Sequence, residues 1–286
     1  MSLLRHVMPE KVVEAPFPHL VIEDALDPQV CRELLRTFPP LERFRAAGPL
    51  GSNVKRHILA PQALADPQLP NVWRQLLEAH LQPEFLRDVV RIFGPSIRRF
   101  YPDFDQRFGR LETLRVGRRG QGDFRNFDLR LDTPITIHSP VVGSPSLERG
   151  PHLKLRHKLF FGHLLLRDES DRTPGGDYEL YSIVPGVVPE FGPRQVIDAA
   201  HVRRERLIPY RAGTLFFGIN TPWAIQNSSL RWPGAHPLQY LVIHGDVREP
   251  LFDIPLRADA RPPVLRRWSR GVRKWIKRRA RMCLSR

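Results

Sequence analysis

"RGPHLKLRHKLFFGHLLLRDESDRTPGGDYELY", residues 149–181, decides how this chain is read. The stretch has the cadence of a strand, a turn and two more strands. "KLFFGHLLL" is a short apolar run bounded by charge, the form of a buried strand. "TPGGD" is a turn whose glycines accept positive φ and carries no nucleotide signal. One position stands out: His152 is followed at the second place by Lys154, so the stretch reads His-x-Lys.

Outward from this block, short alternating or apolar runs continue from about 110 to 250. "LETLRVG", "FDLRLDTPITIH", "RERLIPY", "GTLFFGI" and "PLQYLVIHGDV" are separated by Gly, Pro and Asp, with no helix between them. Such spacing predicts a sandwich or jelly roll. Helices come earlier. "APFPHLVIEDALDPQVCRELLRTFPP" predicts a strand over His19–Ile22, then a helix capped by Asp27, with Pro28 in its first turn and Val30, Leu34 and Leu35 as its apolar stripe. Residues 41–60 read as irregular. Amphipathic helices are predicted over 71–80 and 82–94, with Gly94-Pro95 as the stop. The expectation is an α+β protein, mostly β. Residues 1–258 form one jelly-roll domain, its helical part at 23–108 and its β core at 110–250. Residues 259–286 form a linker and a basic C-terminal helix.

The chain has 286 residues, enough for one large core, and its mixed charge and ordinary apolar content predict a globular body. Its 29 prolines argue for many turns. Cys31 and Cys283 lie far apart and form neither a disulfide framework nor a zinc spacing. The N-terminal segment lacks the apolar core of a signal peptide. No apolar run reaches the roughly 18–20 residues that span a bilayer. A cytoplasmic protein is expected, with a peripheral place on the inner face of the membrane as the second reading.

At this point the chain resembles a family. "PFPHLVIEDALDP", "LDTPITIHSP", "GPH…KLFFGHLLLRDESD…GGDYELY" and "IPYRAGTLFFGINTPWAIQ" are similar to motifs of iron- and 2-oxoglutarate-dependent oxygenases of the small bacterial prolyl-hydroxylase-like group, over roughly 12–250. The resemblance implies a double-stranded β-helix with helices on one side. It also implies Fe(II) held by two histidines and one carboxylate, and an arginine on the far carboxylate of 2-oxoglutarate. His152 stands at the first histidine. Lys154 replaces the carboxylate, Gln226 the second histidine, and Leu238, or a neighbour such as His236 or Gln239, the arginine. A protonated amine cannot ligate, and at about 4 Å and an effective dielectric of about 20 it would repel a divalent ion by roughly 8 kcal/mol. Arg231 is cationic but comes too early to replace the arginine.

Other candidates have plain alternatives. Asp177 and Glu179 are readable as substitute ligands or as sheet-edge polarity. His138, His157 and His163 form either a histidine-only metal site or ordinary hydrogen-bonded residues of the sheet. Lys158 reads as a partly exposed charge at a strand edge. Asn220, Trp223 and Trp232 are pocket candidates; the tryptophans would stack on a ligand or simply pack.

From Arg261 the chain carries many cations and no acid. Trp268 and Trp275 recur at helical spacing among Arg270, Arg273, Lys274, Lys277 and Arg278, the pattern of an amphipathic cationic helix suited to an anionic membrane surface or an acidic partner. Packing on the body, or nucleic acid through its phosphates, are the alternatives. The leading expectation is therefore a degenerate oxygenase, a pseudo-oxygenase that binds or scaffolds an unknown protein, peptide or glycan and needs no cofactor. The alternative is an active dioxygenase using Fe(II) and 2-oxoglutarate to hydroxylate a peptide, amino acid or glycan with non-standard ligands. A nucleic-acid-associated protein is a second alternative.

Overall fold

The computed structural model describes residues 2–47 and 50–257. The chain opens with β1 (His19–Ile22) and α1 (Pro28–Arg36). The Asp27 carboxylate caps α1, accepting from the backbone N–H of Gln29 at 2.8 Å and of Val30 at 3.3 Å. Then come β2 (Lys55–Ile58), α2 (Ala60–Leu64), α3 (Asn71–Ala79), α4 (Pro83–Phe100) and α5 (Phe104–Phe108). The strands β3 (Val116–Arg118), β4 (Leu129–Asp132), β5 (Ile135–His138), β6 (Lys158–Leu165), β7 (Tyr178–Ile183), β8 (Val202–Ile208), β9 (Leu215–Ile219), β10 (Ile225–Ser228) and β11 (Leu238–Val247) complete it.

Two expectations need correction. The segment 41–60 is not irregular throughout, because β2 pairs antiparallel with β5. The second long helix does not stop at Gly94-Pro95 but runs on to Phe100. Pro95 removes one helical hydrogen bond. Yet Phe93 and Ile97, on either side of it, are both fully buried in the core, and this apolar burial outweighs the lost bond.

Pairing defines the architecture. β5 pairs with β11, an isolated bridge joins His152 to Gln226 of β10, β6 pairs with β9, and β7 with β8, all antiparallel. The first and third pairs lie in an eight-stranded sheet, the second and fourth along a three-stranded one. One long antiparallel ribbon is thus wound so that successive pairs alternate between two sheets. That is the double-stranded β-helix, the jelly roll the strand spacing predicted.

Side-chain alternation sorts the two faces of the large sheet. Phe160 and Leu164 of β6, Phe217 of β9, and Leu241 and Ile243 of β11 turn outward into a core shared with Phe85, Phe93 and Ile97 of α4. The rings of Phe160 and Phe217 lie 5.4 Å apart, and Phe93 reaches Phe217 at 5.7 Å. Each such pair adds about 0.5–1.5 kcal/mol beyond its buried area. Phe161 and Phe216 point the other way, against Tyr178, Leu180, Ile208 and Ile225 of the small sheet. The helices therefore close one face, and the space between the sheets is left for a site.

Candidate functional site

The inner face of the large sheet is as polar as its outer face is apolar. On β11 the inward positions are Tyr240, Val242, His244 and Asp246. On β2 they are Lys55 and His57, and on β5 His138. Two adjoining cavities lie here. The smaller, about 20 Å³, adjoins His152, Gln226 and Tyr178 and has room for a single water. The larger, about 470 Å³, opens beside it, and Lys55, Arg149, Lys154 and His163 line both.

The positions implied for the metal lie at this junction. His152 Nδ1 is 2.9 Å from the Gly150 carbonyl, which can only accept, so Nδ1 carries the proton. Nε2 is left as an acceptor, and the Gln226 amide donates to it at 2.5 Å. Burial first, then Arg149 and Lys154, hold the His152 pKa well below the usual histidine value, so the ring is neutral. The lone pair that would bind a metal is already used. Lys154 lies with its Nζ 5.3 Å over the Phe161 ring. A histidine with its lone pair taken, an amide and an amine do not fit Fe(II). Among the described residues no group of three His, Cys, Asp or Glu is placed to hold a metal ion.

What fills the junction instead is positive charge. Of the described residues lining the larger cavity, six are lysine or arginine and only Asp132 is acidic. Four of the six have acidic neighbours. Lys158 Nζ is 3.1 Å from Asp246, Arg119 pairs with Asp132, Arg194 is 2.8 Å from Glu148, and Arg149 approaches Glu148 at 4.0 Å. Lys55 and Lys154 have no ion pair or hydrogen bond through Nζ among the described residues; each rests over a ring, Lys55 at 5.6 Å from the centre of Tyr240. Burial, opposed by Glu148 and assisted by Arg149 and Lys158, brings Lys55 down to about 8. Burial, then Lys55 and Arg149, hold Lys154 well below the usual lysine range. His244, on the same wall, has both ring nitrogens buried without a hydrogen-bond partner.

The other sequence candidates sit elsewhere. Leu238 pairs with His138 in the sheet and packs with Leu165, Tyr210 and Tyr240. Arg231 is buried, but its guanidinium is tied to Asn53 at 2.8 Å, the Ser139 carbonyl at 2.9 Å and the His236 carbonyl at 3.1 Å. Asn220 is a clamp, donating to the carbonyls of Leu155 and Lys158. Trp223 and Trp232 are about half exposed and line neither cavity. Asp177 accepts from the Tyr210 backbone, and Glu179 from Arg204 and Tyr181. Lys158 is half-buried against Asp246 rather than a free strand-edge charge. Lys55, Arg149 and Arg194 carried no sequence motif; the only trace of Lys55 is the alternation of "VKRHI", with Lys55 and His57 on one face. The segment with Trp268, Arg270, Arg273, Lys274, Trp275, Lys277 and Arg278 lies outside the described residues. Among those described, no helix is long and apolar enough to cross a membrane.

No family model and no curated protein matches the sequence. Solved structures do resemble this chain. A Pseudomonas putida prolyl-4-hydroxylase is 12% identical, over 81% of this chain and 93% of its own, with a TM-score of 0.40. The epimerase SnoN in complex with Fe3+, alpha ketoglutarate and nogalamycin RO is 13% identical, over 86% and 88%, with a TM-score of 0.45. A prolyl 4-hydroxylase from Phytophthora capsici is 11% identical, over 86% and 65%, with a TM-score of 0.47. The expectation of no cofactor is corrected by these findings: structures of similar course include one with Fe3+ and alpha ketoglutarate bound, and others described as alpha ketoglutarate dependent.

Proposed function

We propose that this protein is a binding protein of jelly-roll fold that holds a small organic anion in the cavity between its sheets. The observation that carries it is the pair Lys55 and Lys154, two amines on one cavity wall with no counter-ion among the described residues. A carboxylate or phosphate about 4 Å from either, at an effective dielectric of about 20, gains roughly 4 kcal/mol before its own desolvation is counted. The cavity is large enough for a carbon skeleton, and Leu59, Leu153, Phe161 and Val242 give it an apolar wall. An anion with an apolar body, such as a dicarboxylate, suits it better than a bare inorganic ion. 2-Oxoglutarate belongs to that class.

Thermal denaturation and titration calorimetry with succinate, 2-oxoglutarate and a neutral sugar test this. The anions should raise the melting temperature saturably and the sugar should not. Lys55→Met should weaken binding about tenfold or more, the scale of one charge-assisted contact. Affinity should fall as pH rises past about 8, where Lys55 gives up its proton. Failure of every anion to bind would end the proposal. Stoichiometric Fe(II) uptake with succinate released from 2-oxoglutarate would replace it with the oxygenase reading. Docking through the basic segment within 259–286, to an anionic membrane or an acidic partner, is a separate proposal resting on sequence.

A further inference from the structure

Asp132, Gln195 and His244, on the walls of the large cavity, carry buried polar atoms that no group among the described residues meets. Asp132 gives Oδ2 to Arg119 and is left with an unpartnered Oδ1. Gln195 Oε1 has no partner, and neither ring nitrogen of His244 has one. The carboxylates of Asp132 and Asp246 stand 3.9 and 3.8 Å from His244 Nε2, beyond hydrogen-bond reach. Buried polar groups are paired as a rule, so this set points to a partner that the folded chain does not itself supply.

The set is also ordered in space. His244 of β11 stands opposite Phe161 of β6 on one side and opposite Asp132 of β4 on the other. Neighbouring strands lie about 4.8 Å apart, so this row spans about 10 Å. Lys154 Nζ lies over Phe161, at one end of it. An amine therefore stands at one end of the row and unmet hydrogen-bonding atoms at the other. Asp132 Oδ1, in a carboxylate held by Arg119, needs a donor. An ammonium would donate, but it would enter among Lys55, Lys154, Lys158 and Arg119 and be repelled. A hydroxyl donates without charge. Because it also accepts, it suits His244 whichever ring nitrogen holds the proton.

We propose that the anion held here is a sugar acid of one ring, such as a hexuronic acid, with its carboxylate at Lys55 and Lys154 and its hydroxyls on His244 and Asp132. This rests on the anion-binding proposal above and names the class of anion, with His244 as the residue that selects hydroxylated acids. Arg149, whose Nε is also without a hydrogen bond, lines the same cavity and serves the carboxylate. Leu153 and Val242 face the C–H side of the ring. Plain dicarboxylates use the lysines alone and bind more weakly.

Calorimetric titration of the full chain with ring compounds of like size tests this. Glucuronate carries both the carboxylate and the hydroxyls, cyclohexanecarboxylate the carboxylate alone, and glucose the hydroxyls alone. Glucuronate is expected to bind at least about tenfold more tightly than cyclohexanecarboxylate, and glucose not to bind. In His244→Phe that ratio should fall towards one; a ratio that survives there would overturn the assignment of His244. If cyclohexanecarboxylate or succinate binds and glucuronate binds no better, water meets the unpaired atoms, the sugar acid is overturned and the anion-binding proposal stands. If no anion binds, or if glucose binds as tightly as glucuronate, both fall. The ratio measured on the unmutated chain decides the class of ligand even if His244→Phe fails to fold.

Discussion

Gln226 donates to the one nitrogen of His152 through which that ring would bind a metal, and Lys154 brings an amine where an anion would have to stand. These two substitutions act by separate means. The amide occupies a lone pair, and the amine, once protonated, repels a divalent ion by roughly 8 kcal/mol at about 4 Å and an effective dielectric of about 20. Reversing both should therefore matter more than reversing either. The double variant Lys154→Asp with Gln226→His is expected to bind Fe(II) at least about tenfold more tightly than the wild type by calorimetric titration, since it offers two imidazoles and a carboxylate. Equal affinity in the two proteins would mean that residues 152, 154 and 226 do not converge. The motif positions themselves were legible in the sequence. The cluster of cations gathered around them was not, because Lys55 and Arg149 reach the same spot from segments more than 90 residues apart.

Strand β11 carries both functions of the large sheet on its two faces. Its outward residues hold the helices, and inward Asp246 ties neighbouring strands together. Asp246 is 2.9 Å from Arg130 of β4 and 3.1 Å from Lys158 of β6. Burial opposes its ionisation, and His244, Lys158 and Arg130 outweigh that and keep it an anion far below the usual carboxylate range. Asp246→Asn would leave Lys158 and Arg130 facing each other in a partly dry wall. A loss of about 3–5 kcal/mol is expected in urea unfolding, the cost of breaking a buried pair from one side. A loss below about 1 kcal/mol would show that water relieves the cations. At this scale the sequence read well where periodicity is strong, as at β1 and α1. It misread β2, a short strand of mixed charge, and the end of α4, where tertiary burial of Ile97 overrides a proline that local rules treat as a stop.

For the whole molecule, the charge of the sequence is divided between two places. Some of it lines the inner cavity; much of the net +15 lies beyond Arg261. If the terminal segment docks on lipid, the full chain should float with phosphatidylserine vesicles at low salt, and a chain ending at Arg257 should not. At about 1 M salt, where the screening length falls to about 3 Å, the full chain should be released. Equal flotation of both chains would assign the attraction to the body. The jelly roll was written in the sequence by itself, because strand spacing, turn glycines and side-chain alternation are local properties that survive without knowledge of partners. So were the residue types at the positions the resemblance implies for a metal. Only the tertiary structure decided that two lysines share one cavity with no counter-ion among the described residues. That depends on which strands are neighbours and on how far each amine is withheld from water, and neither distance nor desolvation is a property of a residue's place along the chain.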